Sequence, residues 1–219
     1  MATKRELFPL VVVDVAVFTI EQDQLRALLV QRALEPEAKR WALPGGVLKP
    51  DIDDSLQAAA RRVLRTKVSV DLPHVEEVCT FSGPTRDPRG WSVAVLFYAL
   101  LPRDKVHALV RSKVEALKWA DPTHPISGLA FDHGLQLRSA LHAVQSKVEA
   151  QTLPLHLLPE KFTLTELQRT CEAILGRPLD KGAFRRRLKN SQELIATDDF
   201  VRGAQRPAQL YKASDTFTF

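Results

Sequence analysis

The stretch AAARRVLRTKVSV, residues Ala58 to Val70, decides how the N-terminal part of this 219-residue chain folds. It follows WALPGG, Trp41 to Gly46, where Pro-Gly-Gly predicts a turn. One of the three residues from Asp53 to Ser55 can cap a helix that begins between the two motifs. The apolar stripe of this helix consists of Leu56, Ala60, Val63 and Leu64. We therefore expect a helix that packs on a sheet through this stripe.

Together the two segments resemble the Nudix box: Gly, five residues, Glu, seven residues, then Arg-Glu-x-x-Glu-Glu-x-Gly. Aligned on Arg62, with Asp54 on the first acid, the acid positions of the helix hold Val63, Thr66 and Lys67. A strict count from Gly46 puts Ile52, Arg61, Leu64 and Arg65 there instead. The first register is better, since it keeps apolar residues at apolar positions of the motif. No Asp or Glu occurs from Ser55 to Val70 in either register, and Mg²⁺ requires such oxygen ligands. The resemblance therefore implies the Nudix fold without catalytic residues.

The composition is that of an ordinary soluble protein, with 45% hydrophobic and 26% charged residues. Two cysteines, Cys79 and Cys171, suggest neither a disulfide framework nor a zinc cluster, which fits the reducing cytoplasm. The six histidines show no metal-ligand spacing, so we expect no metal and no cofactor. Asp14 interrupts the apolar run from Val11 to Ile20, and no stretch reaches membrane-spanning length, so neither a secretory signal nor a membrane partner is expected.

Strand-like and helix-like segments alternate over the first two thirds of the chain, which predicts an α/β/α sandwich. The predicted strands are Val11 to Phe18, Leu25 to Gln31, Val75 to Phe81, Val93 to Leu101 and Ala116 to Ala120. A second helix, Gly134 to Ala150, is predicted from the spacing of Leu135, Leu137, Leu141 and Val144. The segment QTLPLHLLPE, Gln151 to Glu160, carries two prolines and is typical of a linker. We therefore divide the chain into domains at residues 1–152 and 153–219.

The C-terminal domain follows a different pattern. Thr163 and Glu166 have capping-box spacing at the start of a helix that Gly176 ends. Asp180 can cap a second helix, from Lys181 to about Asn190, which Phe184 and Leu188 anchor. A β-hairpin is predicted from Glu193 to Thr197 and Ala208 to Lys212. Two helices joined by a tight turn and followed by a hairpin describe a winged helix-turn-helix.

Positive charge is concentrated on the second of these helices, although the net charge of the chain is only +5. The basic residues are Lys181, Arg185, Arg186, Arg187 and Lys189, with no acid among them. Such a helix fits the major groove of DNA, where arginine bonds guanine or phosphate, while Arg202 and Arg206 on the wing would reach the neighbouring backbone. The alternative is a solvated basic face without a partner.

The run FTLTELQRTCEAILGRPLDKGAFRRRLKN, Phe162 to Asn190, with GAQRPAQLY, Gly203 to Tyr211, resembles the NrtR family of Nudix-related regulators of NAD metabolism. SGPTRDPRGWSVAVLFYAL, Ser82 to Leu100, and LAFDHG, Leu129 to Gly134, extend the resemblance over nearly the whole chain. Members are dimeric repressors whose Nudix-like domain senses a nucleotide, typically ADP-ribose, and whose winged helix binds operator DNA. The resemblance implies a homodimer, and DNA contacts by Thr163, Thr165, Lys181, Arg185, Arg186, Arg187, Lys189, Arg202 and Arg206.

A diphosphate effector bound without Mg²⁺ would need cations from the protein. The expected ligand-binding residues are Arg86, Arg89, Lys49, Arg40 and Trp41, with Trp91 as a second candidate for an aromatic face against adenine. The alternatives are that Asp87 holds the two loop arginines in structural ion pairs and that Trp41 fills the core.

The sequence thus predicts a cytoplasmic repressor of NAD metabolism genes that senses ADP-ribose or a related nucleotide. One alternative is an ADP-ribose pyrophosphatase that uses atypical acids such as Asp51, Asp53 or Asp54. The other is a regulator that senses a sugar or a sugar phosphate. The identity of the effector, the sign of its action, the operator and the dimer geometry stay open.

Overall fold

The computed structural model describes residues 8–69, 74–102, 114–150, 152–189, 191–201, 207–215 and 217, with the side chains of residues 114 and 115 excepted. The chain forms two compact units. The first comprises Met1–Val17, Ala27–Ala99 and Val106–Ala140, and the second comprises Phe18–Arg26, Leu100–Lys105 and Leu141–Phe219. Within the described residues, no helix combines the length and the apolar character that crossing a membrane requires.

The first two strands are the centre of a mixed sheet. The strands are β1 (Leu10–Glu21), β2 (Gln24–Arg32), β3 (Trp41–Ala42), β4 (Gly45–Val47), β5 (Glu76–Gly83), β6 (Ser92–Leu100) and β7 (Val114–Ala120). The hydrogen-bonded order is β3-β2-β1-β6-β5, with β4 paired to β1 and β7 paired to β2. β1 and β6 run parallel, since the backbone N–H of Leu10 donates to the carbonyl of Trp91 and that of Leu101 donates to the carbonyl of Phe18. Gln22 and Asp23 both adopt positive φ in the two-residue turn between β1 and β2, which suits the twist of a tight hairpin.

Two helices accompany this sheet, α1 (Leu56–Val68) and α2 (His133–Glu149). Ser55 caps α1, because its hydroxyl accepts a hydrogen bond from the backbone N–H of Ala58. Ala60, Val63 and Leu64 of the predicted stripe are buried. Along α2 the expected stripe is correct at Leu137, Leu141 and Val144 but wrong at Leu135, which is 53% exposed. Leu135 lies in the first turn of α2, so periodicity alone did not reveal that it faces solvent.

The C-terminal part contains a short 3-10 helix at Leu155–Leu157 and then five elements. They are β8 (Phe162–Thr163), α3 (Leu164–Leu175), α4 (Lys181–Leu188), β9 (Leu194–Val201) and β10 (Ala208–Ala213). The three strands form one antiparallel sheet in the order β8-β10-β9. The helices α3 and α4 are followed by the hairpin β9–β10, and β8 adds a third strand to the hairpin. This arrangement is the predicted winged helix.

Local sequence signals explain this domain well. Thr163 and Glu166 form both hydrogen bonds of a capping box, and Gly176 ends α3 with φ at 67°. Leu167, Cys171 and Ile174 are buried along one side of that helix. All the predicted strands and helices are present, and α4 ends at Leu188, two residues before the predicted end. The additional strands are β3, β4 and β8, none longer than three residues.

Candidate functional sites

A cavity of about 530 Å³ opens in the first unit, next to the Gly45-Gly46 turn and α1. Its lining includes six cationic side chains, Arg32, Lys49, Arg62, Lys67, Arg86 and Arg89, and three acidic ones, Asp14, Glu35 and Asp87. The excess of positive charge favours an anionic ligand.

One side of α1 supplies part of the lining. Arg62, Val63, Thr66 and Lys67 face the cavity. Leu64, by contrast, is fully buried, while Arg61 and Arg65 are exposed and are not part of the lining. The helix residues that the Arg62 alignment assigns to acid positions are therefore the ones beside the cavity.

Arg62 is held by an acid outside the helix. Its Nε donates to Asp53 Oδ1 and its terminal nitrogen donates to Oδ2, both at 2.7 Å. The same terminal nitrogen donates to the carbonyl of Val47, and Asp53 accepts from the backbone N–H of Lys49. The hydrogen bonds from Arg62 lower the pKa of the Asp53 carboxyl, while the same pairing raises the pKa of Arg62. Asp53, rather than the aligned Asp54, is the acid that pairs with the helix.

The three remaining helix positions do not suit a divalent cation. Val63 has no donor atom, and the Thr66 hydroxyl already donates to the carbonyl of Arg62 at 2.8 Å. Lys67 carries the same sign of charge as the metal. Among the described residues, no group of three or more His, Cys, Asp or Glu side chains could hold a metal ion. A magnesium ion of the kind Nudix hydrolases use does not fit this donor set.

The two arginines of the loop between β5 and β6 are held by carboxylates. Arg86 donates through Nε and a terminal nitrogen to the two oxygens of Asp132, at 2.9 and 2.8 Å, and also donates to Ser92. Arg89 makes the same forked contact with Asp87, at 3.0 and 2.6 Å. The predicted alternative of an ion pair with Asp87 thus applies to Arg89, and the partner of Arg86 lies in a distant segment.

Two other cations of the cavity are bound differently. Arg32 donates to the carbonyl oxygens of Pro36, at 2.9 Å, and Leu34, at 3.4 Å, and its guanidinium lies 4.8 Å from the centre of the Phe131 ring. Burial and the charge of Arg89 lower the pKa of Arg32, and the nearby carboxylates only partly offset this. Lys49 is exposed at the cavity. Among the described residues, no carboxylate forms an ion pair with either side chain.

A buried polar network borders the cavity. The amide nitrogen of Gln136 donates to Asp14 at 3.1 Å and to Asp132 at 2.8 Å. His133 accepts the backbone N–H of Leu43 at Nδ1, which leaves the ring proton on Nε2, 3.6 Å from Asp14. Burial lowers the pKa of His133, so the ring is neutral. The backbone at Gly45 lies against Asp14, so a Cβ there would stand 2.0 Å from the carboxylate oxygen.

The predicted ligand-binding residues fall into two groups. Lys49, Arg86 and Arg89 line the cavity, whereas Arg40, Trp41 and Trp91 are not part of its lining. Arg40 pairs with Glu37, and the Lys118 ammonium lies 4.2 Å from the Trp41 ring centre. Their participation in binding stays a prediction.

Sequence reasoning did not select Arg32, Asp14, Asp132 or His133, all of which belong to the cavity or the network beside it. Two features of the sequence nevertheless point to three of these residues. Asp14 is an acid inside an apolar strand, and Asp132 and His133 lie in the LAFDHG segment quoted for the family resemblance.

The second site is the exposed surface of α4. Lys181, Arg185, Arg186 and Lys189 are exposed, while Phe184 and Leu188 are buried below them. Arg187 is half-buried, with its guanidinium 5.4 Å from the centre of the Phe184 ring. The helix is capped by Asp180, whose carboxylate accepts from the N–H of Ala183 at 2.7 Å. A rigid helix therefore presents four basic side chains to solvent.

The turn before α4 is fixed by α3. Glu172 accepts the backbone N–H of Leu179 at 2.8 Å, and Gln168 donates to the carbonyl of the same residue at 3.1 Å. Of the other predicted DNA contacts, Thr163 is engaged in the capping box and Thr165 is exposed beside it. Arg202 and Arg206 lie outside the described residues.

Comparison with known proteins agrees with this architecture. Residues 11–141 match the NUDIX domain, and residues 154–213 match the NrtR DNA-binding winged helix domain. These matches lie on either side of the domain boundary predicted at residue 152. The chain is thus a Nudix domain joined to a winged helix.

Matches to two relatives identify the family. The chain is 42% identical, over 93% of its length and 82% of the relative's, to the ADPR responsive transcriptional repressor NtrR of Acinetobacter baylyi. It is 35% identical to Shewanella oneidensis NrtR in complex with a 27mer DNA, with a TM-score of 0.82 and 93% of both chains covered. The NUDIX domain of the same Shewanella protein, in complex with ADP ribose, is 34% identical, with a TM-score of 0.60, 66% of this chain and 94% of that chain covered. The chain belongs to the NrtR family of Nudix-related transcriptional regulators.

Proposed function

We propose that this protein is a homodimeric repressor of NAD metabolism genes that acts in the cytoplasm and is controlled by ADP-ribose or a related nucleotide. The exposed basic helix α4 carries the DNA-binding part of the proposal. Its cations stand on a capped helix with no acidic residue between Lys181 and Leu188. DNA affinity depends largely on such cations, because neutralised phosphates release counterions. The Acinetobacter and Shewanella relatives support the assignment.

The cavity of the first unit supports the second part of the proposal, that the protein senses a nucleotide. Its cationic lining favours a ligand with phosphate groups, and the apolar side chains of Leu34, Val47 and Ile52 offer surface to a base or sugar. The solved complex of the related NUDIX domain with ADP ribose supports the same ligand class. Several fixed cationic donors in such a lining can bind one diphosphate through charge-assisted hydrogen bonds.

The protein senses its ligand without hydrolysing it. Val63, Thr66 and Lys67 occupy the cavity-facing positions where a Nudix hydrolase needs carboxylates, and none of them is a ligand for Mg²⁺. Asp53 does not replace them, because it is committed to Arg62, and neither Asp51 nor Asp54 is part of the cavity lining. Incubation with ADP-ribose and Mg²⁺ should therefore release no AMP at ordinary enzyme rates, and such release would contradict this part of the proposal.

Fluorescence anisotropy with the intergenic DNA upstream of the gene tests the function directly. We expect sequence-preferring binding at moderate salt and a change in affinity on addition of ADP-ribose. A tenfold change requires about 1.4 kcal/mol of coupling between the two sites. Absence of sequence preference, with and without ADP-ribose, would refute the proposal. Calorimetric titration with ADP-ribose, NAD, ATP and pentoses distinguishes a nucleotide sensor from a sugar sensor.

A further inference from the structure

The cationic side chains of the cavity differ in whether a carboxylate of the protein already pairs with them. Arg62, Arg86 and Arg89 each make a forked ion pair with a carboxylate, Asp53, Asp132 and Asp87 respectively. A phosphate that approached one of them would compete with a carboxylate that is itself buried or nearly so, and separating such a pair is costly. These three arginines are therefore poor choices for the principal anion contact.

Arg32 is the contrasting case. It is half-buried in the cavity wall, and its hydrogen bonds go to two main-chain carbonyl oxygens, which carry no net charge. The Phe131 ring covers one face of the guanidinium and holds its plane. Its charge is thus fixed in position, partly removed from water, and without an ion-pair partner among the described residues. An anion would supply that partner and would accept hydrogen bonds from the guanidinium N–H groups that Pro36 and Leu34 do not engage, chiefly those of Nη1.

Lys49 and Lys67 add charge to the same cavity. Lys67 stands at a position where a Nudix hydrolase has a metal-binding acid, so positive charge comes there from the protein instead of a bound cation. The apolar side chains of Leu34, Val47 and Ile52, all exposed, complete this lining. The combination suits an organic diphosphate with a ring system attached, such as a nucleoside diphosphate derivative.

We propose that Arg32, aided by Lys49, is the principal contact of the effector's diphosphate and that binding requires no divalent cation. This inference rests on the proposed function as a nucleotide sensor and assigns the residues that recognise the ligand. Arg86 and Arg89 then act as positioning residues, which shape the loop through Asp132 and Asp87.

Isothermal titration of the full-length protein with ADP-ribose tests the proposal, in buffer with EDTA and in buffer with Mg²⁺. We expect equal affinity in both buffers for the wild type. Arg32→Gln should weaken binding at least tenfold, and Arg32→Lys should weaken it less, since it keeps the charge but loses the fork. Arg65→Gln is the matched control, because this arginine is exposed on α1 and lies outside the cavity lining, and the affinity of the variant should change less than twofold. Inorganic pyrophosphate, titrated in the same way, should show the same ranking of variants.

Thermal unfolding monitored by circular dichroism establishes that each variant is folded before its affinity is compared. Loss of wild-type binding in EDTA, or unchanged binding by folded Arg32→Gln, would overturn the inference. An equal loss in Arg65→Gln would also overturn it. If the wild type binds neither ADP-ribose nor pyrophosphate in either buffer, the proposed sensor function fails instead.

Discussion

Two helices of this protein, α1 and α4, have nearly the same charge but use it differently. Each begins at an oxygen-bearing cap, Ser55 or Asp180, and each carries four basic residues and no acid. On α1, Arg62 turns toward the cavity and is held by Asp53. On α4, Arg185 and Arg186 are exposed. Arg62 is thus committed to a carboxylate within the fold while Arg185 and Arg186 face solvent, a difference that composition alone does not reveal.

The largest expected effect comes from breaking the pair on α1. Arg62→Gln leaves the Asp53 carboxylate, whose side chain is 1% exposed, without its charged partner. We expect the free energy of unfolding to fall by about 3 kcal/mol, measured by urea denaturation. The control is Arg65→Gln, an exposed arginine one turn along the same helix, which should change stability by less than about 0.5 kcal/mol. Equal losses in the two variants would show that the Arg62–Asp53 pair does not stabilise the fold.

The next effect is on DNA affinity. Replacing both Arg185 and Arg186 by Gln should weaken operator binding by about 2 kcal/mol, because each loses a charged contact with DNA. Anisotropy at several salt concentrations should also show the slope of log K against log salt reduced by about two.

The matched control for this change is Arg61→Gln with Arg65→Gln, which removes the same charge from the exposed side of α1. Operator affinity should then change by less than about 0.5 kcal/mol at moderate salt. A loss as large as that of the α4 variant would place the DNA contact on the Nudix domain instead.

A smaller effect is expected at the cap of α3. Thr163→Ala removes one half of the capping box and should destabilise the winged helix by about 1 kcal/mol. Thr165→Ala is the control, since Thr165 is exposed. Thermal unfolding compares the two. A lower midpoint only for Thr165→Ala would contradict the role of the cap.

The smallest effect is a pH dependence. The hydrogen bonds from Arg62 lower the pKa of Asp53, so this carboxylate stabilises the fold above its unfolded-state pKa, about 4. That contribution is lost as the pH falls through the lower, folded-state pKa. Urea denaturation between pH 7 and pH 3 should therefore show a shallower acid-side decline in Arg62→Gln than in the wild type. Identical declines would mean that the pair does not shift the titration of Asp53.

The winged helix could be predicted closely because its signals are local. Thr163 and Glu166 form the capping box at the expected spacing, and Gly176 ends the helix as expected. The strands β3, β4 and β8 have two or three residues, which is too short for any periodicity to be recognised.

The interior of the cavity could not be predicted in the same way. Gln136 and Asp14 are 122 residues apart in sequence, and Arg86 and Asp132 are 46 apart. Only the folded sheet brings these groups together. The sequence motifs therefore indicate the arginines of the loop but not the carboxylate that holds Arg86, and no motif marks Arg32 at the end of β2.

The close approach between Gly46 and Val63 bears on whether a carboxylate could be introduced into α1 beside the cavity. A Cβ on Gly46 would stand 3.0 Å from a methyl carbon of Val63, so the turn and the helix are packed against each other at a position where a hydrolase needs a carboxylate. A glutamate at Val63 would have to fit in this contact, and it would still lack companions while Thr66 and Lys67 remained. In the proposed sensor, the packing at Gly46 therefore adds a steric obstacle to hydrolysis of the signal that it reads.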